Sequence, residues 1–210
     1  MKLNRIIDYK TNTIKFFDKM ADKKHGDSFK HYDNVIDWLS NFSEATLLDL
    51  GTGKGDLLKR VINSFPNEDK KWKLIGIDIS SKMIEQAIKK NILAEFKVGD
   101  SENIPFEDSY FDIITCINSF HHYSLPEKSI SEISRVLKPN GILILGEIWL
   151  PFPFKTLVNF SLPFLSTGDF KIYSTQEIKD MFSQQNFKLL EKNYIFPSNY
   201  TYLLKKAEIK

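Results

Sequence analysis

The sequence predicts an α/β fold with a mostly parallel seven-stranded sheet, helices on both faces and an antiparallel last strand. From residue 45 onward, apolar runs alternate with segments of helical period, which is typical of parallel strands joined by crossover helices. The run at Phe111–Ile117 is apolar on both faces, as expected of a central parallel strand. A length of 210 residues suits one such domain.

Each predicted strand is an apolar run bounded by polar or turn-forming residues. The predicted strands are Thr46–Leu50, Lys73–Asp78, Glu95–Val98, Phe111–Ile117, Ile142–Ile148, Phe187–Ile195 and Tyr200–Lys205. The residues Lys138–Gly141 are predicted to turn the chain into the fifth strand.

The helices between these strands are predicted from apolar side chains at helical spacing and from capping residues. The predicted buried stripes are Leu57, Leu58, Val61, Ile62 and Phe65 in the first crossover helix and Ile84, Ala87 and Ile88 in the second. Ser80 or Ser81 is expected to cap the second of these helices. The patterns Ser124-x-x-Glu127 and Ser174-x-x-Glu177 predict capping boxes for two later helices.

Two segments lie outside the alternation and frame a core at residues 45–148. Residues 1–44 are predicted to form an N-terminal helical cap, with apolar residues at helical spacing: Phe29, Tyr32, Ile36, Leu39 and Phe42. Residues 149–173 are rich in aromatic side chains and are predicted to form an insert or lid, because connections in α/β units are usually shorter. Residues 174–210 supply the last helix and strands, so the whole chain is interpreted as one domain.

Composition and charge exclude several classes of protein. The formal charge of +2 and the scarcity of arginine argue against nucleic-acid binding. Cys116 is the only cysteine, which excludes an intrachain disulfide and a thiolate zinc cage. The N-terminus lacks a signal-peptide core, and the longest apolar run, Gly141–Phe154, is too short to span a bilayer. We therefore expect a cytoplasmic protein without a transmembrane segment.

The most informative motif is the loop LLDLGTGKGDLL at residues 47–58, in which Gly51, Gly53 and Gly55 follow an apolar strand. Glycine lets the backbone pass close beneath a ligand because it has no Cβ and tolerates positive φ. A dinucleotide fingerprint would need a small residue at position 56. Asp56 stands there and would repel a pyrophosphate, whereas Asp49 is placed to meet a cation.

Polar side chains follow four separate predicted strands. Asp49, Asp78, Asp100 and Asn118 each stand at or just after a strand end. In a doubly wound sheet, ligands bind beyond the carboxyl ends of the strands. We expect these four side chains to converge on one crevice.

The loop resembles motif I of the class I S-adenosylmethionine-dependent methyltransferases. The segment GDSENIPFEDSYFDIITCINSFHHYSLPEKSISEISRVLKPNGILILGE is similar to the small-molecule group that includes the ubiquinone and menaquinone biosynthesis methyltransferases. The resemblance covers about residues 45–148 and implies a Rossmann-like three-layer sandwich. It also implies S-adenosylmethionine as cofactor, S-adenosylhomocysteine as product and a small-molecule acceptor.

The resemblance also implies which residues bind the cofactor. They are Asp49, Gly51, Gly53, Gly55, Asp78, Ile79, Met83, Asp100, Ser101 and Asn118. Asp78 is expected to accept hydrogen bonds from the ribose hydroxyls, and Asp100 from the adenine amine beside the Ser101 amide. Ile79 and Met83 would cover the adenine faces.

His121 and His122 follow the fourth strand, near the place expected for the transferred methyl group. Either could act as a general base, or both could pack around the sulfonium end of the cofactor. No metal site is predicted, because no nearby acid or cysteine completes a ligand spacing.

The preferred interpretation is methylation of carbon or oxygen in an apolar acceptor. Its pocket would be lined by Trp149, Phe152 and Phe154. Two alternatives stay open at this stage. One is a nicotinamide-dependent oxidoreductase, which Asp56 disfavours. The other is a non-catalytic module that binds S-adenosylmethionine without turnover.

Overall fold

The structure, a computed structural model, describes residues 2–23, 29–66, 71–165 and 167–208. The side chains of residues 2–8, 29, 30 and 163 lie outside this description, so the predicted packing of Phe29 does as well. The strands are β1 (Glu44–Leu50), β2 (Lys71–Asp78), β3 (Glu95–Val98), β4 (Phe111–Ile117), β5 (Leu137–Ile148), β6 (Phe187–Ile195) and β7 (Asn199–Lys206). The helices are α1 (Lys2–Met20), α2 (Phe29–Leu39), α3 (Asp56–Ser64), α4 (Ser81–Ile88), α5 (Pro126–Val136), α6 (Phe154–Ser161) and α7 (Thr175–Ser183). Two 3₁₀ helices occupy Phe120–His122 and Leu162–Phe164.

The seven strands form one sheet in the order β3-β2-β1-β4-β5-β7-β6. Strands β1 to β5 are parallel to one another, and β7 is antiparallel to both β5 and β6. The predicted α/β class, strand number and antiparallel last strand are confirmed. Because the strand order reverses between β1 and β4, the carboxyl ends of these strands border the crevice where ligands bind in such sheets.

Two apolar layers hold the helices against the sheet. On one face, α2 and α3 bury Val35, Leu39 and Leu58 against β1 and β4. On the other face, the buried residues of α5 and α7 include Ile133 and Phe182. The sheet between two helical layers confirms the three-layer arrangement, and it fixes where each strand end points.

The predicted helix starts are partly confirmed. The Ser174 capping box is present, and Ser80 caps α4 by accepting a hydrogen bond from the Met83 amide. The Ser124 capping box is wrong: Leu125 is the N-cap of α5, and the Ser124 hydroxyl instead donates to Glu102. The predicted stripe of α4 is also wrong at its end, since Ile88 is 58% exposed while Met83 is buried.

Strand β5 begins five residues earlier than predicted. Leu137 already pairs with Phe111, and the next pairing joins Ile142 to Ile113, so the residues between them bulge out of the ladder. The predicted turn at Lys138–Gly141 is therefore an irregularity inside a longer strand. Asn140 has a φ of 62° there, the left-handed conformation that asparagine tolerates.

No helix among the described residues has both the length and the apolarity required to cross a membrane.

Lys206 at the end of β7 is buried and donates to the carbonyl oxygens of Ser134 and Leu137, at 2.6 and 2.7 Å. These carbonyls lie where α5 ends, so the ammonium satisfies acceptors that the helix leaves open. We expect Lys206→Met to lower the free energy of unfolding by about 1–3 kcal/mol, because buried acceptors lose a charged donor. Urea denaturation measures the change. Lys205→Met is the matched control, and an equal loss in both variants would contradict this role.

Candidate functional site

A cavity of about 260 Å³ lies beyond the carboxyl ends of β1, β2 and β4. The glycine loop forms its floor, and Gly51 and Gly53 have φ values of 76° and 53°. The Gly51 and Thr52 amides both donate to the Ile77 carbonyl, at 2.9 Å, which ties the loop to β2. Of the ten residues predicted to bind the cofactor, all but Gly55 line this cavity.

The three glycines have different roles. A Cβ on Gly51 would lie 2.0 Å from the Ser119 Oγ, and one on Gly55 would lie 2.7 Å from the Phe96 ring. A Cβ on Gly53 would meet nothing within 4 Å. Gly51 and Gly55 therefore permit close packing, while Gly53 keeps open the space above the loop. Gly55 does not line the cavity, and its lack of a Cβ lets the loop pack closely against Phe96.

Asp49 ends β1 and is almost fully buried. The Thr52 and Thr115 hydroxyls donate to its two oxygens, at 2.7 and 2.8 Å. Burial raises the pKa of Asp49 to about 6, although both hydroxyls favour the charged form. The two threonines were not predicted, and Thr115 could not be, because its orientation follows from the pairing of β1 with β4.

Asp78 ends β2 and joins two loops. One oxygen accepts from the Gly53 amide and the other from the Ser80 amide, both at 2.9 Å. Burial raises the pKa of Asp78 to about 6, while these amides oppose the shift. Each carboxylate oxygen has a second lone pair, so Asp78 can still accept a hydrogen bond from a ligand in the cavity.

Asp100 lies beyond β3, and the N-terminal helix α1 reaches it. The Lys10 Nζ lies 2.5 Å from Asp100 and 2.8 Å from Glu102. Thr13 and Phe17, also from α1, line the cavity with Lys10. These three residues were not predicted from the sequence. Their spacing of three and four residues on one helical face was the available signal, but nothing local showed what that face would contact.

Ser101, Ile79, Met83 and Asn118 complete the predicted set that lines the cavity. Asn118 has a φ of 50°, and its amide donates to the Gly146 carbonyl. Its buried Oδ1 makes no hydrogen bond of ordinary geometry, and the buried His31 ring is a neighbour that can donate to it. A carbonyl oxygen has two lone pairs, so this oxygen can also accept from a ligand.

A second cavity of about 530 Å³ adjoins the first. Phe17, Asn118 and His122 line both cavities, so these residues form the boundary between them. The remaining walls are apolar on one side, at Phe16, Met20 and Ile148, and polar on the other. The polar wall consists of His121, Thr167, Asp169, Ser198 and Asn199.

The two histidines occupy different environments. The His121 Nδ1 lies 2.7 Å from the buried Glu147 carboxylate, and its Nε2 lies 3.4 Å from Asp169. Burial alone would lower the pKa of His121, but Glu147 and Asp169 outweigh it and raise the pKa to about 10. His122 donates from Nδ1 to the Gly168 carbonyl, at 2.8 Å, and packs on the Phe17 ring. Burial, together with the charge of His121, lowers the pKa of His122.

Asp169 corrects one argument from the sequence. No acid was expected near the two histidines, yet Asp169 from the insert lies 3.4 Å from His121 and 3.3 Å from His122. The insert folds back over the end of β4, so the three residues meet although 47 positions separate His122 from Asp169.

The three aromatic residues predicted to line an acceptor pocket do not line either cavity. Phe152 and Phe154 are 83% and 60% exposed. Trp149 packs edge-on against Tyr200 and Tyr194. The aromatic wall of the second cavity comes instead from Phe16 and Phe17 of α1.

Comparisons with known proteins show similarity to methyltransferases. A family model for a methyltransferase domain matches residues 48–145. A demethylmenaquinone methyltransferase of Thermotoga maritima is 29% identical, over 86% of this chain and 90% of that protein. An uncharacterized methyltransferase of Schizosaccharomyces pombe is 38% identical over 55% of this chain, and the chain spans only 44% of its length.

One solved structure shows the same fold at low identity. A chain from the complex between the Haloferax volcanii Trm112 methyltransferase activator and a methyltransferase has a TM-score of 0.76. It is 20% identical, over 92% of this chain and 97% of that one. At this identity the likeness concerns the fold.

The different surroundings of Gly51 and Gly53 predict that substitutions at the two positions lower stability by different amounts. We expect Gly51→Ala to lower the free energy of unfolding by about 1–3 kcal/mol more than Gly53→Ala, because only the first Cβ clashes with a fixed neighbour, Ser119. Both variants share the cost of an alanine in the left-handed region, about 1–2 kcal/mol. Urea denaturation of the ligand-free proteins measures the difference. Equal stabilities would contradict the close approach of Gly51 to Ser119.

Proposed function

Because the chain belongs to the class I S-adenosylmethionine-dependent methyltransferases, we propose that it methylates a small molecule held in the second cavity. The observation that carries the proposal is the pair of adjoining cavities. One is built from strand ends and a glycine loop, and the other shares a boundary with it at Phe17, Asn118 and His122. Such an arrangement holds a donor and an acceptor side by side.

The residues of the first cavity fit S-adenosylmethionine. Gly53 leaves the space above the loop open for the methionine part, since a Cβ there would project into it. Asp49 and the Asn118 Oδ1 are acceptors suited to its ammonium group. We assign Asp78 to the ribose hydroxyls, Asp100 and Ser101 to the adenine edge, and Ile79 and Met83 to the adenine faces.

When bound, this cofactor supplies an electrophilic methyl group to an acceptor nucleophile. The chain contributes orientation and exclusion of water, which suffice when the nucleophile is already electron-rich. Phe17 and Met20 from α1 cover the second cavity, and Phe17 packs against His122 at the boundary. These side chains would hold the acceptor against the cofactor cavity.

Neither candidate base is poised to remove a proton at neutral pH. His121 lies between Glu147 and Asp169, and its raised pKa keeps it charged. The pKa of His122 is lowered, which makes it a weak base, although its ring lines both cavities. We therefore assign His122 to contact with the acceptor rather than to proton removal.

The second cavity favours a compact acceptor with an apolar body and a polar edge. Phe16, Met20 and Ile148 would contact the body, while Asn199 and Ser198 would contact polar atoms. The name of the Thermotoga relative, a demethylmenaquinone methyltransferase, supports methylation of a small-molecule acceptor. A cytoplasmic location remains a prediction from the sequence.

The nicotinamide alternative is disfavoured by charge. Asp56 begins α3 and lines the cavity at the place where a dinucleotide would put its pyrophosphate. Lys90 pairs with Asp56, but the carboxylate remains on the wall of the cavity.

Calorimetry with the Asp78→Asn variant tests the assignment of the cofactor site. We expect the unmodified protein to bind S-adenosylmethionine, and the variant to bind it more weakly by about 1.5–3 kcal/mol, the range for a hydrogen bond to a charged group. Asp33→Asn is the control, because the Asp33 side chain is 82% exposed and lies outside the cavity. Binding of NAD(P) in place of S-adenosylmethionine would contradict the proposed function.

Cofactor affinity should also depend on pH. Burial raises the pKa of Asp49 and Asp78 to about 6, so both lose their charge as pH falls through 6. A cationic ligand needs the charged forms, so affinity should be full above pH 7. At pH 5 it should be roughly tenfold lower for each carboxylate that contacts the ligand. Calorimetry between pH 5 and 8 measures this, and constant affinity over the range would contradict it.

A further inference from the structure

Three titratable side chains converge at the edge of the second cavity. His121, His122 and Asp169 form this histidine–aspartate cluster. One potential ligand atom from each residue lies within 4.8 Å of the other two. All three residues line the second cavity, so a fourth position beside them is open to a bound molecule.

The separation between Asp169 and His121 is longer than an ordinary hydrogen bond, with 3.4 Å between the Asp169 Oδ1 and the His121 Nε2. The His122 Nδ1 lies 3.3 Å from the same oxygen but is engaged by the Gly168 carbonyl, so His122 would bind a cation through Nε2. Nitrogen–oxygen hydrogen bonds in proteins cluster at about 2.7–3.2 Å. Two ligand atoms at about 2.1 Å from one cation, in tetrahedral arrangement, lie about 3.4 Å apart. The spacing therefore matches ligands around a shared cation.

Neighbouring acceptors orient both rings. Glu147 accepts from His121 Nδ1 at 2.7 Å, and its other oxygen accepts from the Phe120 amide at 2.9 Å. The Gly168 carbonyl holds His122 Nδ1. Histidines that bind metals usually donate their second ring nitrogen to a carboxylate or a carbonyl in this way. Each ring can thus offer its remaining nitrogen.

The negative charges around the cluster also favour a bound cation. Glu147 and Asp169 flank the His121 ring, and within the described ranges neither carboxylate forms an ion pair with a lysine or arginine. A divalent cation bound beside them would balance both carboxylates.

We propose that His121, His122 and Asp169 bind one divalent transition-metal cation, such as Zn²⁺, at the edge of the second cavity. Two imidazoles and one carboxylate are a donor set that suits Zn²⁺ and its first-row neighbours. The open position faces the cavity, where the cation can bind an oxygen of the acceptor. This last step rests on the proposed function, but metal binding by the three residues does not.

Metal titration of the full chain tests the proposal. The protein is treated with a chelator, desalted and titrated with Co²⁺, whose visible absorption reports on its coordination. We expect saturable binding of one Co²⁺ per chain and its displacement by Zn²⁺. Absence of saturable Co²⁺ binding would overturn the proposal.

Two variants locate the site. We expect Asp169→Asn and His121→Gln each to lower Co²⁺ affinity at least tenfold, on the order of the loss seen when metal-site residues are replaced. Asp180→Asn is the matched control, because Asp180, on α7, is exposed and lines neither cavity. Co²⁺ affinity that is the same in both cluster variants as in the control would overturn the proposal.

Binding of S-adenosylmethionine, measured by calorimetry on the same preparations, shows whether each variant is folded. It also separates the two hypotheses. Intact cofactor binding without metal binding would overturn the metal site alone. Metal binding without cofactor binding would leave the metal site in place and contradict the proposed function.

Discussion

The carboxylate of Asp78 is the link on which the site depends. It accepts hydrogen bonds from the amides of Gly53 and Ser80, and so joins the glycine loop to the start of α4. Ser80 in turn caps α4 through the Met83 amide and donates to Asp18 of α1. One buried acid thus connects a strand end, a loop, a helix start and the helix that covers the cavity. Moving any one of these elements would leave a buried polar group without a partner.

Features that follow from the local sequence pattern could be predicted. Asp49, Asp78 and Asn118 were placed correctly because a residue at the carboxyl end of a parallel strand always reaches the same edge of the sheet. The positions of side chains that depend on packing between distant segments could not be predicted. The contact of Lys10 with Asp100, and that of Asp169 with His121, join residues far apart in the chain. No spacing rule predicts such meetings, because each depends on how a helix or insert folds back over the sheet.

The aromatic insert shows why composition misled the prediction of the acceptor pocket. Phenylalanines in a connecting segment suggest the lining of an apolar pocket. Phe152 and Phe160, however, are more than three-quarters exposed to solvent. The part of the insert that reaches the site is polar: the Gly168 carbonyl and the Asp169 carboxylate contact the two histidines. An apolar side chain is stabilised by contact with any surface that shields it from water. A buried charged side chain, by contrast, needs a specific partner. The polar residues of the insert therefore determine its position over the site.

The charge on the walls of the cofactor cavity bears on turnover. Five carboxylates and two lysines line it: Asp49, Asp56, Asp78, Asp100, Glu102, Lys10 and Lys54. Such an excess of negative charge in a partly desolvated space favours a cationic ligand over a neutral one of the same shape. S-adenosylmethionine loses its sulfonium charge when the methyl group leaves, so the product carries one positive charge fewer than the substrate. The same carboxylates that attract the donor therefore hold the product less strongly, and release of product becomes easier for an electrostatic reason.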